Sequence, residues 1–185
     1  MDYKCTKRFR FFNTYAYFYC MKIAIRPYQE TDVPTIVAIL NYNILHSTAL
    51  YDYHPRTVEQ QTEIFNDKLQ KGFPIIVATA ADQVVGFGYY SEFRFRDAYR
   101  FTVEHSVYVS NDFHGKGIGK LLLEELITLA KEQKLHTMIA VIDSENQSSV
   151  AFHEQFGFKT VAVIKETGFK FDRWLHSQIM QLMLE

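Results

Sequence analysis

From Phe101 onward the chain writes a strand, a cluster of glycines and a helix in direct succession, an order that few architectures accept. Thr102, Val103, Val107 and Tyr108 mark an extended segment that runs to Val109. Asn111-Asp112-Phe113-His114-Gly115-Lys116-Gly117-Ile118-Gly119-Lys120 then turns the chain into a helix with Ile118, Leu122, Leu126 and Leu129 on one side. A strand that feeds an amphipathic helix this directly has to pack that helix back onto its own sheet.

The rest of the pattern repeats the alternation. Ile23 and Ile25 share one face of a short strand that stops at Pro27. Thr31 or Asp32 is placed to cap a helix whose apolar positions Val33, Ile36, Val37, Leu40 and Ile44 follow a three-to-four spacing, with Pro34 in its first turn. Thr57 and Gln60 have capping-box spacing for a second helix ending near Gly72. Ile75-Ile76-Val77-Ala78 and Val84 to Tyr90 read as an antiparallel pair joined tightly at Ala81-Asp82-Gln83. An arginine-rich loop with Arg94, Arg96 and Arg100 precedes the strand 101–109. Strand 138–142, helix 147–156, strand 159–163 and strand 174–184 complete the series. The expected fold is mixed α/β (α+β), with an antiparallel first half, βαβ-like units later, and a last strand that closes the sheet.

Composition narrows the function classes. The 185 residues carry 20 basic and 21 acidic groups, so nothing draws the chain as a whole to nucleic acid or an anionic membrane. No apolar run reaches the roughly 20 residues that span a bilayer. Residues 1–20 stand apart: they hold eight of the 29 aromatics, both cysteines and a net charge of +3, but no Leu, Ile or Val. Asn13, Thr14 and four tyrosines interrupt any signal-peptide core. The expectation is that Met21 is the natural start or that 1–20 is a dispensable tail, with 21–185 as the domain. With no cysteine in the body, neither a disulfide framework nor a thiolate metal site is available there. His105, His114, His136, His153 and His176 have no metal-ligand spacing, so no metal is expected.

The glycine segment suits a phosphate, because glycines let the backbone approach closely and a helix N-terminus is electropositive. Lys116 and Lys120 add charge at its rim. A plain helix-starting turn is the alternative. The spacing fits neither a P-loop nor a dinucleotide fingerprint, since position 120 is Lys. It fits [Q/R]-x-x-G-x-[G/A], with Gly117 and Gly119 in the glycine places and His114 departing from the usual first residue. That pattern resembles the acyl-CoA pyrophosphate loop of GNAT acetyltransferases.

Further matches extend the likeness over about residues 22–184. Thr102-Val103-Glu104-His105-Ser106-Val107-Tyr108-Val109 resembles the central strand of the branch that acetylates phosphinothricin and methionine sulfone or sulfoximine. Ile25-Arg26-Pro27, Ser144-Glu145-Asn146-Gln147, His153 with Phe156-Gly157-Phe158, and Gly168 to Trp174 follow in order. The resemblance implies a central sheet of about seven strands, splayed between the fourth and fifth, with about four helices. It implies acetyl-CoA as co-substrate, a small-molecule amine as acceptor, a homodimer and a cytoplasmic setting.

It also implies residue roles. Backbone groups of Val107, Tyr108 and Val109 would bond the pantetheine arm, the amides of Gly115, Lys116, Gly117, Ile118, Gly119 and Lys120 beside His114 would hold the pyrophosphate, and Asn146 would touch the cofactor too. Glu104 matches the branch's general base, against the alternatives of an exposed carboxylate or a buried partner for an arginine. His153 matches a candidate proton donor to the leaving thiolate, with a packing or dimer role as the alternative. Arg94, Phe95, Arg96 and Arg100, beside Glu104, His105 and Ser106, would form the acceptor end, where guanidinium groups suit carboxylate and phosphinate oxygens. Trp174 and the Phe-rich sites read as core or dimer contact. Competing functions are acetylation of another amine, such as a polyamine or a protein N-terminus, and a silent acyl-CoA-binding module.

Overall fold

The computed structural model describes residues 22–185, so the expectations about residues 1–20 and Met21 lie outside the described residues. Strand β1 (Ile23–Pro27) leads to helix α1 (Val33–His46), which buries Val33, Ile36, Val37, Ile39, Leu40 and Ile44. Asp32 precedes α1 but does not cap it with its side chain. Its carboxylate instead accepts two hydrogen bonds from Arg26, both 2.7 Å, and one from the Gln29 amide at 2.8 Å, tying β1 to the helix start. Helix α2 (Val58–Gln70) has the expected capping box, in which Thr57 accepts from the Gln60 amide and Gln60 from the Thr57 amide.

Strands β2 (Ile75–Ala80) and β3 (Gln83–Glu92) form a hairpin, its two connecting residues Ala81 and Asp82 at φ 47° and 65°. Strand β4 (Thr102–Val109) pairs antiparallel with β3, and helix α3 (Ile118–Glu132) leads to β5 (Thr137–Asp143), which is parallel to β4. Helix α4 (Gln147–Glu154) precedes the long hairpin β6 (Lys159–Lys170) and β7 (Arg173–Met183). The sheet order is β1-β2-β3-β4-β5-β7-β6. Among the described residues four α-helices therefore flank a mixed seven-stranded sheet, as the resemblance implied.

Four sequence expectations change. Only β4-α3-β5 is a parallel crossover unit among the described residues, because β5 pairs antiparallel with β7. The last strand closes the sheet by entering between β5 and β6 rather than at an edge, and β6 extends to Lys170, well past Val163. Trp174 is not core: it is 56% exposed and stacks edge-on against the exposed Phe169.

Two apolar layers sandwich the sheet. On one face α3 buries Ile118, Leu122, Leu123 and Leu126 against Ala78, Val85, Val103 and Met138, each buried leucine contributing about 2 kcal/mol. On the other, α1 and α2 cover Val77, Phe87 and Tyr108 with Ile36, Leu40 and Phe65. The seat of α3 depends on two glycines of β3. A Cβ on Gly86 would lie 2.9 Å from the Tyr108 carbonyl and 3.2 Å from Ile118, and one on Gly88 3.0 Å from Leu126. No described helix is long and apolar enough to cross a membrane.

Candidate functional site

Strands β4 and β5 stay paired for only three residues each, Thr102–Glu104 against Thr137–Ile139. Beyond that point β4 follows β3 to the Gly86–Val109 pair, while β5 follows β7 to the Asp143–Ser177 pair. The sheet opens into a wedge, and the β5-facing edge of Val107–Val109 has no strand partner among the described residues. A cavity of about 1240 Å³ runs along this opening from Tyr89 and Glu104 past Val107 and Val109 to Gly117 and Asn146. That exceeds the usual 300–1,000 Å³ of a small-ligand pocket and leaves room for two reactants.

At the outer end the main chain makes an anion cradle. Gly115 and Gly117 have φ of 74° and 79°, a left-handed conformation that strains any other residue. A Cβ at either position would meet nothing within 4 Å, so the space before the loop is open. Among the described residues no group accepts a hydrogen bond from the six successive amides of Gly115–Lys120, and Gly117 is the N-cap of α3. Converging unpaired N–H groups at a helix N-terminus fit a phosphate. The unpartnered strand edge beside them fits an amide-bearing arm.

The side chains around the cradle divide differently from the expectation. His114 donates from Nε2 to the Val109 carbonyl at 3.0 Å, bracing the loop on the end of β4. Lys116 folds back onto the Asp112 carbonyl (2.8 Å) and the Phe113 ring, away from the cavity lining. Lys120 lines the cavity and sits 3.7 Å from Glu124. Asn146 caps α4 by accepting from the Ser149 amide, and its side-chain NH₂ has no described partner.

At the inner end strand alternation decides what faces what. Glu104 and Ser106 share the Tyr108 face, toward α1 and α2, where Tyr89 lies beside Ser106 in register. His105, with Val107 and Val109, takes the opposite face. Its ring there is 5.1 Å from that of His153 and 5.4 Å from that of Phe158. His105 and Glu104, which the resemblance grouped at the acceptor end, thus line the same cavity from opposite faces of β4. Burial holds His105 neutral, pushed down to about 3, and neither ring nitrogen has a described partner.

Glu104 is half-buried and makes no hydrogen bond or ion pair with any described residue, so an arginine acts on it through its charge and not by contact. Burial raises its pKa, and the positive charges of Arg94 and Lys68 partly oppose that rise. A carboxylate kept unpaired beside a cavity is chemically a base in waiting.

His153 presents a different chemistry from the one expected. Nδ1 is 2.6 Å from the Ser149 carbonyl, and a carbonyl only accepts, so the ring proton sits on Nδ1. Burial lowers the pKa, and the Ser149 bond counters this in part. In the neutral ring Nε2 holds a lone pair rather than a proton, which does not suit a general acid.

The arginine loop also departs from the expectation. Arg94, Arg96 and Arg100 are exposed and lie over Phe93, Phe95 and Phe101. Phe95 itself is 86% exposed, and none of Arg94, Phe95, Arg96 and Arg100 lines the cavity. The connection runs past the strand ends, where a turn at Asp97–Tyr99 keeps it in solvent. Only Arg94 reaches the site, through its charge on Glu104.

The wall opposite was missed by sequence reasoning: Asn43, Ser47 to Tyr51, Asp143 and Ser177 line the cavity. The polar run His46-Ser47-Thr48 that ends α1 was the available signal.

Comparison with known proteins follows this geometry. Residues 40–158 match the model of the Acetyltransferase (GNAT) family. The chain is 39% identical to an L-methionine sulfoximine/L-methionine sulfone acetyltransferase from Pseudomonas aeruginosa, over 89% of this chain and 96% of that protein. It superposes with a TM-score of 0.85 and 37% identity on a GNAT phosphinothricin acetyltransferase from Sinorhizobium meliloti crystallised with AcCoA, over 88% of this chain and 89% of that one. A ribosomal-protein-alanine N-acetyltransferase from Brucella melitensis gives the same TM-score and identity over 86% of this chain and 99% of that one.

Proposed function

Since the chain belongs to the GNAT acetyltransferase family, we propose that it moves an acetyl group from acetyl-CoA to the α-amine of a small amino acid or analogue of the phosphinothricin or methionine sulfoximine type. The observation that carries the reading is an unpaired carboxylate, Glu104, at the inner end of a wedge whose outer end is a row of unpaired amides. Acetyl-CoA, when bound, supplies a thioester whose carbonyl carbon the amine attacks, with the thiolate leaving. The amides of Gly115–Lys120 hold its diphosphate, the free edge of Val107–Val109 its arm, and Asn146 donates from its side-chain NH₂. Glu104 takes the proton that an ammonium group must lose before it has a lone pair to offer.

The charges of Arg94 and Lys68 favour the ionised form of Glu104 and partly oppose the rise that burial causes. Ser106 and Tyr89 line the acceptor side beside it. Arg94 adds positive potential for an anionic acceptor, whereas Arg96, Arg100 and Phe95 stay exposed and outside the cavity lining. His153 orders the thioester end as a neutral ring. Family likeness supports a cytoplasmic homodimer, and the exposed Val161, Val163 and Ile164 of β6 offer it a surface. The likeness to the Brucella enzyme favours a second reading, acetylation of a peptide N-terminus.

Thiol release from acetyl-CoA, measured with methionine sulfoximine, methionine sulfone, phosphinothricin, polyamines and an alanine-initiated peptide, separates these. Release is expected with the amino-acid analogues. Faster release with the peptide selects the second reading, and binding of acetyl-CoA without release under any acceptor leaves a silent module. Glu104→Gln should lower kcat about 10²- to 10⁴-fold while acetyl-CoA affinity stays nearly constant. Full activity in that variant removes Glu104 as the base.

A further inference from the structure

The hairpin β6–β7 holds a group that the proposed chemistry does not use. Lys170, the last residue of β6, is only 3% exposed, yet no carboxylate of a described residue lies within ion-pair distance of it. Its ammonium donates instead to two main-chain carbonyls, Ser47 at 2.9 Å and Leu50 at 2.5 Å. Burial lowers its pKa, and the charge of Asp52 opposes that only in part. The ammonium also lies 5.0 Å from the centre of the Phe171 ring, and a buried cation with no carboxylate beside it is costly to keep unless holding those carbonyls matters.

Both carbonyls belong to the connection between α1 and α2, which forms a wall of the cavity at Ser47, Thr48, Ala49, Leu50 and Tyr51. Residues 48–55 make no main-chain to main-chain hydrogen bond with any described residue. The far end of the connection is fastened, since Asn41 and the Arg56 main chain exchange hydrogen bonds of 2.9 and 2.8 Å. The near end is held from the hairpin at three successive residues. The Tyr51 ring packs against Gly168, where a Cβ would come within 2.6 Å of it. The Tyr53 hydroxyl donates to the Phe169 carbonyl. Lys170 takes Ser47 and Leu50.

We propose that Lys170 is a positioning residue for the acceptor: with Gly168 and Phe169 it clamps segment Ser47–Tyr53 into the wall that shares the α1/α2 side with Glu104. The inference rests on the proposed acetyl transfer for its kinetic consequence, but the clamp itself does not. The amides of Gly115–Lys120, which the proposed function gives to acetyl-CoA, exchange no main-chain hydrogen bond with segment 47–53, although Ser47 and Thr48 do share a pocket lining with Asn146. Release of the clamp therefore changes acceptor binding and choice and leaves the cofactor end alone.

The test compares the full chain with Lys170→Met, which keeps the stem and removes the donors, and with Gly168→Ala, which displaces Tyr51 without touching the charge. Acceptor KM should rise roughly ten- to a hundredfold in both, while acetyl-CoA KM stays within about twofold. Hydrogen exchange should lose protection at residues 47–53 and keep it in α3. A lower Tm with both KM values unchanged makes Lys170 merely structural and overturns the proposal, as does a parallel rise in both. Unaltered exchange at 47–53 in Lys170→Met overturns the clamp whatever the acceptor. Absence of turnover in the unaltered chain, with the exchange difference present, instead overturns the acceptor assignment and keeps the clamp.

Discussion

Alanine at Gly86 should unseat the helix that carries the amide cradle. Gly86 pairs with Val109 and faces the first turn of α3. An added Cβ would sit 2.9 Å from the Tyr108 carbonyl, 3.2 Å from Ile118 and 3.3 Å from Leu122. Carbon and oxygen rest at roughly 3.3–3.6 Å, so about half an ångström has to be found. The carbonyl belongs to a paired strand and moves little, which leaves α3 to shift. Overpacking of this kind costs about 1–3 kcal/mol, and removing a strand glycine returns up to about 1 kcal/mol. The net loss, near 1–2 kcal/mol, corresponds to a Tm lower by roughly 2–8 °C in a chain of this size. Because Ile118 opens α3, the same shift displaces the cradle amides, and losing about 1 kcal/mol of phosphate contact raises acetyl-CoA KM roughly fivefold. Gly119→Ala is the stability contrast: its Cβ meets Phe152 and Val109 at 3.7–3.8 Å, ordinary contact, and should add up to about 1 kcal/mol. Differential scanning calorimetry and steady-state kinetics read both effects. A Gly86→Ala protein with unaltered Tm and acetyl-CoA KM would refute the seating of α3 on β3.

Three further outcomes follow from single sites. Burial raises the Glu104 pKa, so the base form is lost on acidification earlier than for an ordinary glutamate, and Arg94→Ala should move the acid limb of kcat/KM to still higher pH; an unmoved limb separates Arg94 from Glu104. Arg26 holds the Asp32 pKa below 3.8, so this pair contributes stability above the unfolded-state pKa and loses it as pH falls through the folded-state value. Asp32→Asn should therefore cost about 2–3 kcal/mol at neutral pH and progressively less in acid, read by urea denaturation across pH; a pH-independent cost would deny the linkage. Ala81-Asp82→Asn-Gly suits two positions of positive φ and should stabilise by about 1–2 kcal/mol, a Tm rise of roughly 2–8 °C; an unchanged melt means the turn stores no strain.

Much of this was legible before any coordinates. The helical spacing of Val33 to Ile44, the Thr57–Gln60 box and the glycines before Ile118 are local signals, since propensity and capping act within a few residues. Strand alternation by itself also separates His105 from Glu104, although family resemblance grouped them. The arginine loop misled for a physical reason: residue type shows what a guanidinium can bind, whereas whether Arg94, Arg96 or Arg100 reaches a cavity depends on where the strands stop.

What sequence alone determined was the order of elements and the glycine turn that opens α3, because each is encoded by neighbours along the chain, whereas Glu104 as candidate base came from the family resemblance. Tertiary structure alone decided where β4 and β5 part, which ring nitrogen of His153 keeps its proton in the packed site, and that Lys170 grips a loop some 120 residues away. Such facts arise from the competition of distant groups for the same space and the same hydrogen-bond partners, and no local pattern along the chain records its outcome.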